Sequence, residues 1–480
     1  MNEEVLDEVL IDDNIDIVKF VEYILQQNRG SDKIQDMLTA QEYFLVKNVD
    51  ILKKEDPNSI KSSNKKLTSA LYRLSVEQKV NYAFNNDIIF SFENNSENEE
   101  SLIFETYQNE FMKFMDFDNK NTIINMATDA VNKGISWAFV NIDDEGKLIL
   151  QDFEPETVYP VWINRQHNSL RALVRDYKVK DYVDNDFVTI NKIDYFDNEN
   201  HYNLIYDNEV EIDNSQDTSH FYNNGVGESW GRVPFIWLKS NQDELPLLNV
   251  IKSYLDAYDE LTSKSVDTLI NDIDAILVLK GVNPDMGTLE ETREKIKKSK
   301  VLSLKEIGDA SYLVVNSDIS SIQSKLESLY KNIMQYSSTV DTNDVKFGSN
   351  NSGIALKSMY QNLDIYVNGL ERQLRITFAN IKYFFDEYLV LNNIGSLEDF
   401  QKFKINVMLD RDLMINETEI INNVAKMQNL VSQETLDDYN PLVYSYDNEE
   451  KRREETRKKI DEIESNYDFT NEVNDLAEEI

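Results

Sequence analysis

The chain has 480 residues, with 88 acidic against 49 basic side chains, a formal net charge of −39, 41% apolar content, no Cys and three His. The missing thiol excludes disulfides, Cys-ligated zinc, iron–sulfur clusters and cysteine nucleophiles. The acidic excess argues against conventional tight nucleic-acid binding, in which Lys and Arg displace counterions from phosphates, while only 13 Gly and 7 Pro favour long helices over tight-turn sandwiches.

This length predicts roughly three domains of ordinary size. Residues 1 to 18 hold seven acids and no base, an acidic start that leads into helical spacing of apolar residues from Ile17 to Gln27. Asp56-Pro57-Asn58-Ser59 is turn chemistry. Leu67, Leu71 and Leu74, then Val76, Val80 and Phe84, predict a helix, and Phe92 to Glu100, rich in Asn and Glu, reads as an exposed loop. Helical spacing returns with Phe104, Phe111 and Met115 and again, after Asp116 to Asn121, with Ile123, Ile124, Ala127 and Val131.

The period then becomes two. Ser136 to Ile142, the turn Asp143-Asp144-Glu145-Gly146 and Lys147 to Gln151 predict a hairpin. Further strands are expected at Leu170 to Tyr177, Val188 to Asp194, Tyr202 to Tyr206 and Phe235 to Lys239, with Pro155, Pro160 and Pro234 punctuating them.

From Leu247 the helical period resumes through Ile251, Tyr254, Tyr258, Leu261, Leu269 and Ile273, with Asp243 or Asn241 and Pro246 marking its start. An insert from Asp274 to Asp318 holds two strand-like runs, Ala275 to Leu279 and Tyr312 to Val315, around a basic helix carrying Arg293, Lys295, Lys297, Lys298 and Lys300. Another helix follows from Ser317, with Ile322, Leu326, Leu329 and Ile333 on one face. Ser337 to Gly353 is polar and reads as a mobile loop. After it a stripe from Leu356 to Tyr388 predicts a rod on the order of 50 Å long. Lys404 to Met408 is an expected returning strand, and Glu417 to Val431 and Asn448 to Ser465 are expected helices. The fold class expected is therefore α+β, predominantly helical. No apolar run approaches the ~20 residues of a spanning helix, so a soluble chain made in the cytoplasm is expected.

Catalytic signatures are missing. There is no Walker A loop, no glycine-rich dinucleotide fingerprint, no serine-hydrolase elbow and no EF-hand spacing around Asp341-Thr342-Asn343-Asp344. His167, His201 and His220 lack zinc-motif spacing, so they could form a site only by converging in the fold. Neither a cofactor nor a metal is expected, and the chain is not expected to be an enzyme.

The order of signals and several stretches of wording resemble the portal proteins of tailed bacteriophages, of the siphophage head-to-tail connector type. The similar stretches are Asn81-Tyr82-Ala83-Phe84, then Gly134-Ile135-Ser136-Trp137-Ala138-Phe139-Val140-Asn141-Ile142 through Gly146 to Glu154-Pro155 and Pro160. They continue in Arg171 to Tyr177, Gly231-Arg232-Val233-Pro234-Phe235 with Asn241, and Leu255-Asp256-Ala257-Tyr258-Asp259 through Asp272 to Leu279-Lys280-Gly281. Asn351-Ser352-Gly353-Ile354-Ala355-Leu356-Lys357 and Glu417 to Thr435 complete the set, which spans about residues 60 to 460.

The resemblance implies a portal architecture. It assigns a wing to 1–242, with an α-rich start and strand-rich middle, and stem helices to 243–273 and 318–337. A clip falls at 274–317, a tunnel loop at 338–352, a long spine helix at 353–393, and a returning strand with crown helices at 394–480. It implies a ring, usually of twelve copies, at one capsid vertex, serving as conduit for DNA packaging and ejection.

Implied partners are other copies of the chain, the terminase large subunit, a head–tail adaptor protein, the major capsid and scaffolding proteins, and double-stranded DNA in transit without sequence specificity. The implied location is the virion, and the host cytoplasm during assembly. Asp341, Asn343, Asp344, Lys346, Phe347, Ser349 and Asn350 would face DNA. Arg293, Lys295, Lys297, Lys298 and Lys300 would present the clip to partners. Asp256, Asp259, Glu260 and Lys264 of the stem, with Asp267, would face solvent or tunnel. Two other readings stand beside this one: a different virion or tail-assembly structural protein, and a hydrolase built around the three histidines.

Overall fold

The computed structural model describes residues 15–54, 64–95, 102–183, 186–206, 210–213, 217–223, 225–272, 276–282, 304–313, 319–342, 353–411, 425–427 and 436. The chain forms two compact units, Met1–Val340 with Asn362–Arg411, and Asp341–Gln361 with Asp412–Ile480.

The first unit begins with α1 (Ile17–Asn28), α2 (Asp32–Phe44), the short α3 (Val49–Leu52) and α4 (Leu71–Ala83). Asp16, Ser31 and Asn48 cap the first three by accepting from the main-chain N–H of Lys19, Ile34 and Ile51. Apolar spacing does not announce α2, because its Asp, Lys and Gln residues dilute the stripe. In α4 the buried face is Tyr72, Ser75, Val76, Lys79, Val80 and Ala83. Leu67 and Leu74, expected to be inside, are exposed, because the helix begins only at Leu71, after Leu67, and its buried stripe falls on Tyr72, Val76 and Lys79 rather than on Leu74.

β1 (Ile88–Asn94) follows, then α5 (Leu102–Phe114) and α6 (Phe117–Lys133). The loop expected from Phe92 is strand as far as Asn94, because β1 pairs antiparallel with β14 (Phe403–Leu409), Ile88 opposite Leu409. That partner lies over 300 residues away in sequence, beyond the reach of any local signal.

The predicted hairpin is present as β2 (Ile135–Ile142) and β3 (Leu148–Phe153), and β2 also pairs with β11 (Phe235–Lys239) to give the order β11-β2-β3. Asp143 accepts from the N–H groups of Glu145 and Lys147 to set the turn. A second sheet runs β4-β5-β6-β7-β8, formed by Val158–Trp162, Leu170–Val183, Asp186–Phe196, His201–Tyr206 and Val210–Ile212. Pro160 sits inside β4 opposite Leu173 rather than ending it. β4 is an edge strand, where a missing N–H is tolerated. β9 (Phe221–Asn223) and β10 (Val226–Glu228) form a small hairpin.

α1 lies on the five-stranded sheet, and one core joins Phe20, Val21 and Ile24 to Trp137, Trp162 and Trp237. A second aromatic cluster holds Tyr107, Phe111, Phe114, Phe385, Phe400 and Phe403 together with centroids 5.1 to 6.2 Å apart.

Next come α7 (Leu248–Asp272) and the antiparallel pair β12 (Ile276–Val282) with β13 (Leu304–Leu313). The first strand-like run of the insert is thus strand from Ile276, and the second is only the end of a longer strand that begins at Leu304, with Tyr312 and Leu313 opposite Leu277 and Ile276. Ala275, Val314 and Val315, and Arg293, Lys295, Lys297, Lys298 and Lys300, lie outside the described residues. α8 (Ile319–Tyr336) packs along α7, with Tyr254 and Tyr336 rings 5.1 Å apart. α9 (Gly353–Leu391) is the long helix, followed by the short α10 (Leu397–Phe400). Within the first unit Leu363, Val367, Leu370, Leu374, Phe378, Ile381 and Phe385 of α9 are all buried, each stabilising the fold by ~1.5–3 kcal/mol. The expected helices at 417–431 and 448–465 lie almost wholly outside the described residues. Helix and strand are both present throughout the described chain, which agrees with the α+β expectation.

Candidate functional site

Where α8 gives way to the polar stretch, the chain is held firmly. Ser338 takes a left-handed conformation (φ 54°), and the N–H of Thr339 returns to the carbonyl of Met334 at 2.9 Å, closing the helix end in the manner of a Schellman cap. Ser337, Thr339 and Val340 are buried. The Gln78 side chain of α4 engages both main-chain groups of Val340: its Nε2 donates to the carbonyl at 2.9 Å and its Oε1 accepts from the N–H at 2.6 Å. The first four residues of the expected mobile loop are therefore part of the packed body. Asp341 is half-buried; Asn343, Asp344, Lys346, Phe347, Ser349 and Asn350 lie outside the described residues.

Lys79 lies beneath this root and is 0% exposed. Its Nζ donates to the carbonyl of Ser75 at 3.1 Å and to Thr339 Oγ1 at 3.4 Å, and sits 5.1 Å from the centre of the Tyr366 ring. Burial pushes this amine down to about 7. The one sign of it in the sequence is a Lys spaced with Tyr72 and Val76 on a single helical face.

The acids of α7 are used differently from expectation. Asp259, expected to face solvent or tunnel, is 2% exposed. Its carboxylate accepts from Asn48 Nδ2 at 2.9 Å and from the N–H of Ser69 at 3.0 Å, and burial raises its pKa. Asp256 accepts from Tyr43 and Asn48 and pairs with Lys252 at 2.8 Å. Asp267 accepts from the N–H of Lys65.

A helix that must satisfy the irregular main chain between α3 and α4 needs acceptors on that face. Asp259 and Asp267 supply two of them and Ser263 Oγ a third, for the N–H of Leu67, while Asp256 serves the side chains of Tyr43 and Asn48. Glu260 and Lys264 do remain at the surface, paired at 2.5 Å, with Lys54 also on Glu260 at 2.7 Å. Hydrogen bonds from Lys264 and Lys54 bring Glu260 down to about 2.

The chain enters α7 through Glu244, a residue with φ 56°. Its buried carboxylate meets Lys33 at 2.5 Å, Lys239 at 2.8 Å and His167 Nδ1 at 2.7 Å. Burial alone would raise its pKa, but these partners hold it well below the usual carboxylate range. Gly134 (φ 93°) abuts this turn so closely that a Cβ there would stand 2.1 Å from the Glu244 carbonyl oxygen.

The three histidines do not converge into a site. His167 is tied to Glu244 and stacked on Trp162, His201 is stacked on Phe196, and His220 accepts from the N–H of Trp230. A cleft of about 440 Å³ in this region is lined by Asn168, Ser169, Asn198, Arg232, Trp237 and Phe384, among others, and by none of the histidines. Among the described residues no group of His, Asp or Glu is placed to hold a metal ion. No described helix is long and apolar enough to cross a membrane.

The packed helices α7 and α8, the strand pair between them, a polar stretch of sequence with a fixed root and the long helix α9 occur here in one order. The family model described as phage portal protein, SPP1 Gp6-like, matches residues 26–465. The chain belongs to that family.

The portal protein of Bacillus phage SPP1 is 25% identical over 419 residues, covering 84% of this chain and 78% of that one. The portal protein of Clostridium phage phiCD119 is 25% identical over 454 residues, covering 91% and 96%. A solved structure described as the neck of an empty GTA particle computed with C6 symmetry covers 76% of this chain and 89% of that chain, at 11% identity and a TM-score of 0.43. The resemblance seen in the sequence from Asn81 onward is thus a family relationship, and in this portal protein the loop root, the buried Lys79 and the Glu244 turn are the features that spacing alone leaves unread.

Proposed function

We propose that copies of this portal protein close into a ring, twelve in the virion, at one capsid vertex, and that double-stranded DNA passes along its axis during packaging and ejection. In this reading residues 1–242 are the wing, 243–273 and 318–337 the stem, 274–317 the clip and 338–352 the tunnel loop. The spine helix takes 353–393 and the crown 394–480. The terminase and later the head–tail adaptor dock at the clip, whose Arg293 to Lys300 cluster offers positive charge to them, and ATP hydrolysis belongs to the terminase.

The observation that carries the reading is the rooted loop. A polar segment leaves a base fixed by Gln78 and by the cap on α8, and that base extends as far as Val340. A segment with such an anchor can touch moving DNA while the helix behind it stays still. With a net charge of −39 per copy, the surroundings repel phosphate and keep contacts brief, and Lys346 supplies a sparse point of attraction.

Deleting Asp344 to Asn350 should leave assembled rings, seen by negative-stain microscopy, and lower the yield of packaged DNA. Undiminished packaging by that deletion removes the loop from the mechanism, and a purified chain that stays monomeric at every concentration removes the ring.

A further inference from the structure

Strands β5 and β6 outrun their sheet. β4 pairs with β5 only as far as Arg175, and β7 pairs with β6 only back to Lys192. From Lys178 opposite Asn191 out to Val183 opposite Asp186, the two strands pair only with each other. At ~3.3 Å per residue this is a ribbon about 20 Å long, and a two-stranded ribbon on its own is marginally stable in water.

Its two faces differ. Alternation puts Lys178, Lys180 and Tyr182 on one face, opposite Asn191, Thr189 and Phe187. Nearer the sheet this same face is covered by α1: Phe20 meets Tyr195 edge-on at 6.2 Å, and Arg29 pairs with Asp176 at 2.6 Å. There α1 ends, and Gly30 (φ 73°) turns the chain away. Beyond Asp176 the face is bare among the described residues. Tyr182 and Phe187 are 60% and 68% exposed, with their rings 5.0 Å apart.

We propose that this lysine-and-aromatic face docks on a second copy of the chain, completing for the ribbon the cover that α1 gives the sheet; the inference rests on the ring reading above. Charge selects the occupant. Subunits carrying −39 each repel one another, so a ring of them needs local points of attraction. The ribbon face has two lysines and no acid, an inversion of the average surface, and another copy supplies the acidic counterpart. The paired aromatics provide the apolar anchor typical of interface centres.

The chain contains no Cys, so Phe187→Cys accepts a benzophenone maleimide at one position only. Irradiation of the purified, ring-forming protein should give cross-linked species at twice the subunit mass of 56.0 kDa. Separately, Tyr182→Ala with Phe187→Ala, and Lys178→Glu with Lys180→Glu, should leave circular dichroism and melting temperature unchanged. Both pairs should lower the assembled fraction at fixed concentration by about tenfold or more.

Cross-links confined to the labelled chain, or both double variants assembling like the parent, would overturn the proposal while leaving the ring intact. A parent protein that never assembles would instead remove the ring, and this contact with it.

Discussion

Glu244 shows how one side chain can fasten three segments. It is 2% exposed, and its partners come from α2, from the turn between β4 and β5, and from the end of β11. Glu244→Gln keeps the shape but strands the buried Lys239 ammonium, so it should cost ~3–5 kcal/mol in urea unfolding at pH 7. Because the folded pKa lies below the ordinary carboxylate value, this stability is fully present above about pH 4.5 and fades as the pH falls toward the folded value. The variant should therefore show a flatter acid limb than the parent. An unchanged limb would mean that the cluster is held by packing alone.

Lys79 differs from Glu244 in that its charged form destabilises the folded chain, although stability again rises with pH. Its folded pKa of about 7 lies below the ordinary 10.5, so the unfolded chain binds its proton more tightly across that window and stability rises with pH between them. Lys79→Met should raise the melting temperature at pH 7, gaining on the order of a few kcal/mol, and should abolish the rise between pH 7 and 9.5. A lower melting temperature at pH 7 would show that the buried amine stabilises the loop root.

At the scale of elements, the loop root makes the clearest test. Gln78→Ala removes both bonds to Val340 and leaves two buried main-chain groups unpaired, at ~1–3 kcal/mol each. Limited proteolysis should then cut near residues 337–342 well before the parent is cut, and the melting temperature should fall by a few degrees. Cleavage at the parent's rate would place the anchor elsewhere.

The same elements show what a sequence reveals. α9 is legible because its large apolar residues recur without interruption from Leu363 to Phe385, and the β2–β3 hairpin because Asp143 to Gly146 states its turn. α7 is only half legible: Asp259 and Ser263 occupy the buried stripe with Ile251 and Leu255, and an acid there is read as a solvent residue until Asn48 and Ser69 are seen to need it. The pairing of β1 with β14 and the turn at Glu244 depend on partners from distant parts of the chain, which no periodicity encodes. For the same reason the three histidines can be picked out in the sequence but not located in space.

On the scale of the whole molecule, charge sets a limit that assembly must overcome. Twelve copies would carry a formal charge of twelve times −39, about −470, a mutual repulsion that contacts between subunits must offset. Salt screens that repulsion over a Debye length of ~30 Å at 0.01 M and ~10 Å at 0.1 M, whereas apolar anchors such as Tyr182 and Phe187 lose little by it. Raising NaCl from about 10 to 150 mM should therefore shift the monomer–ring balance toward rings at fixed protein concentration, as sedimentation velocity would read it. The slope separates two ways of building the interface. Rings that dissociate over the same range would show that oppositely charged pairs between subunits outweigh the net repulsion, and the ribbon lysines would then be expected to matter more than its aromatic rings.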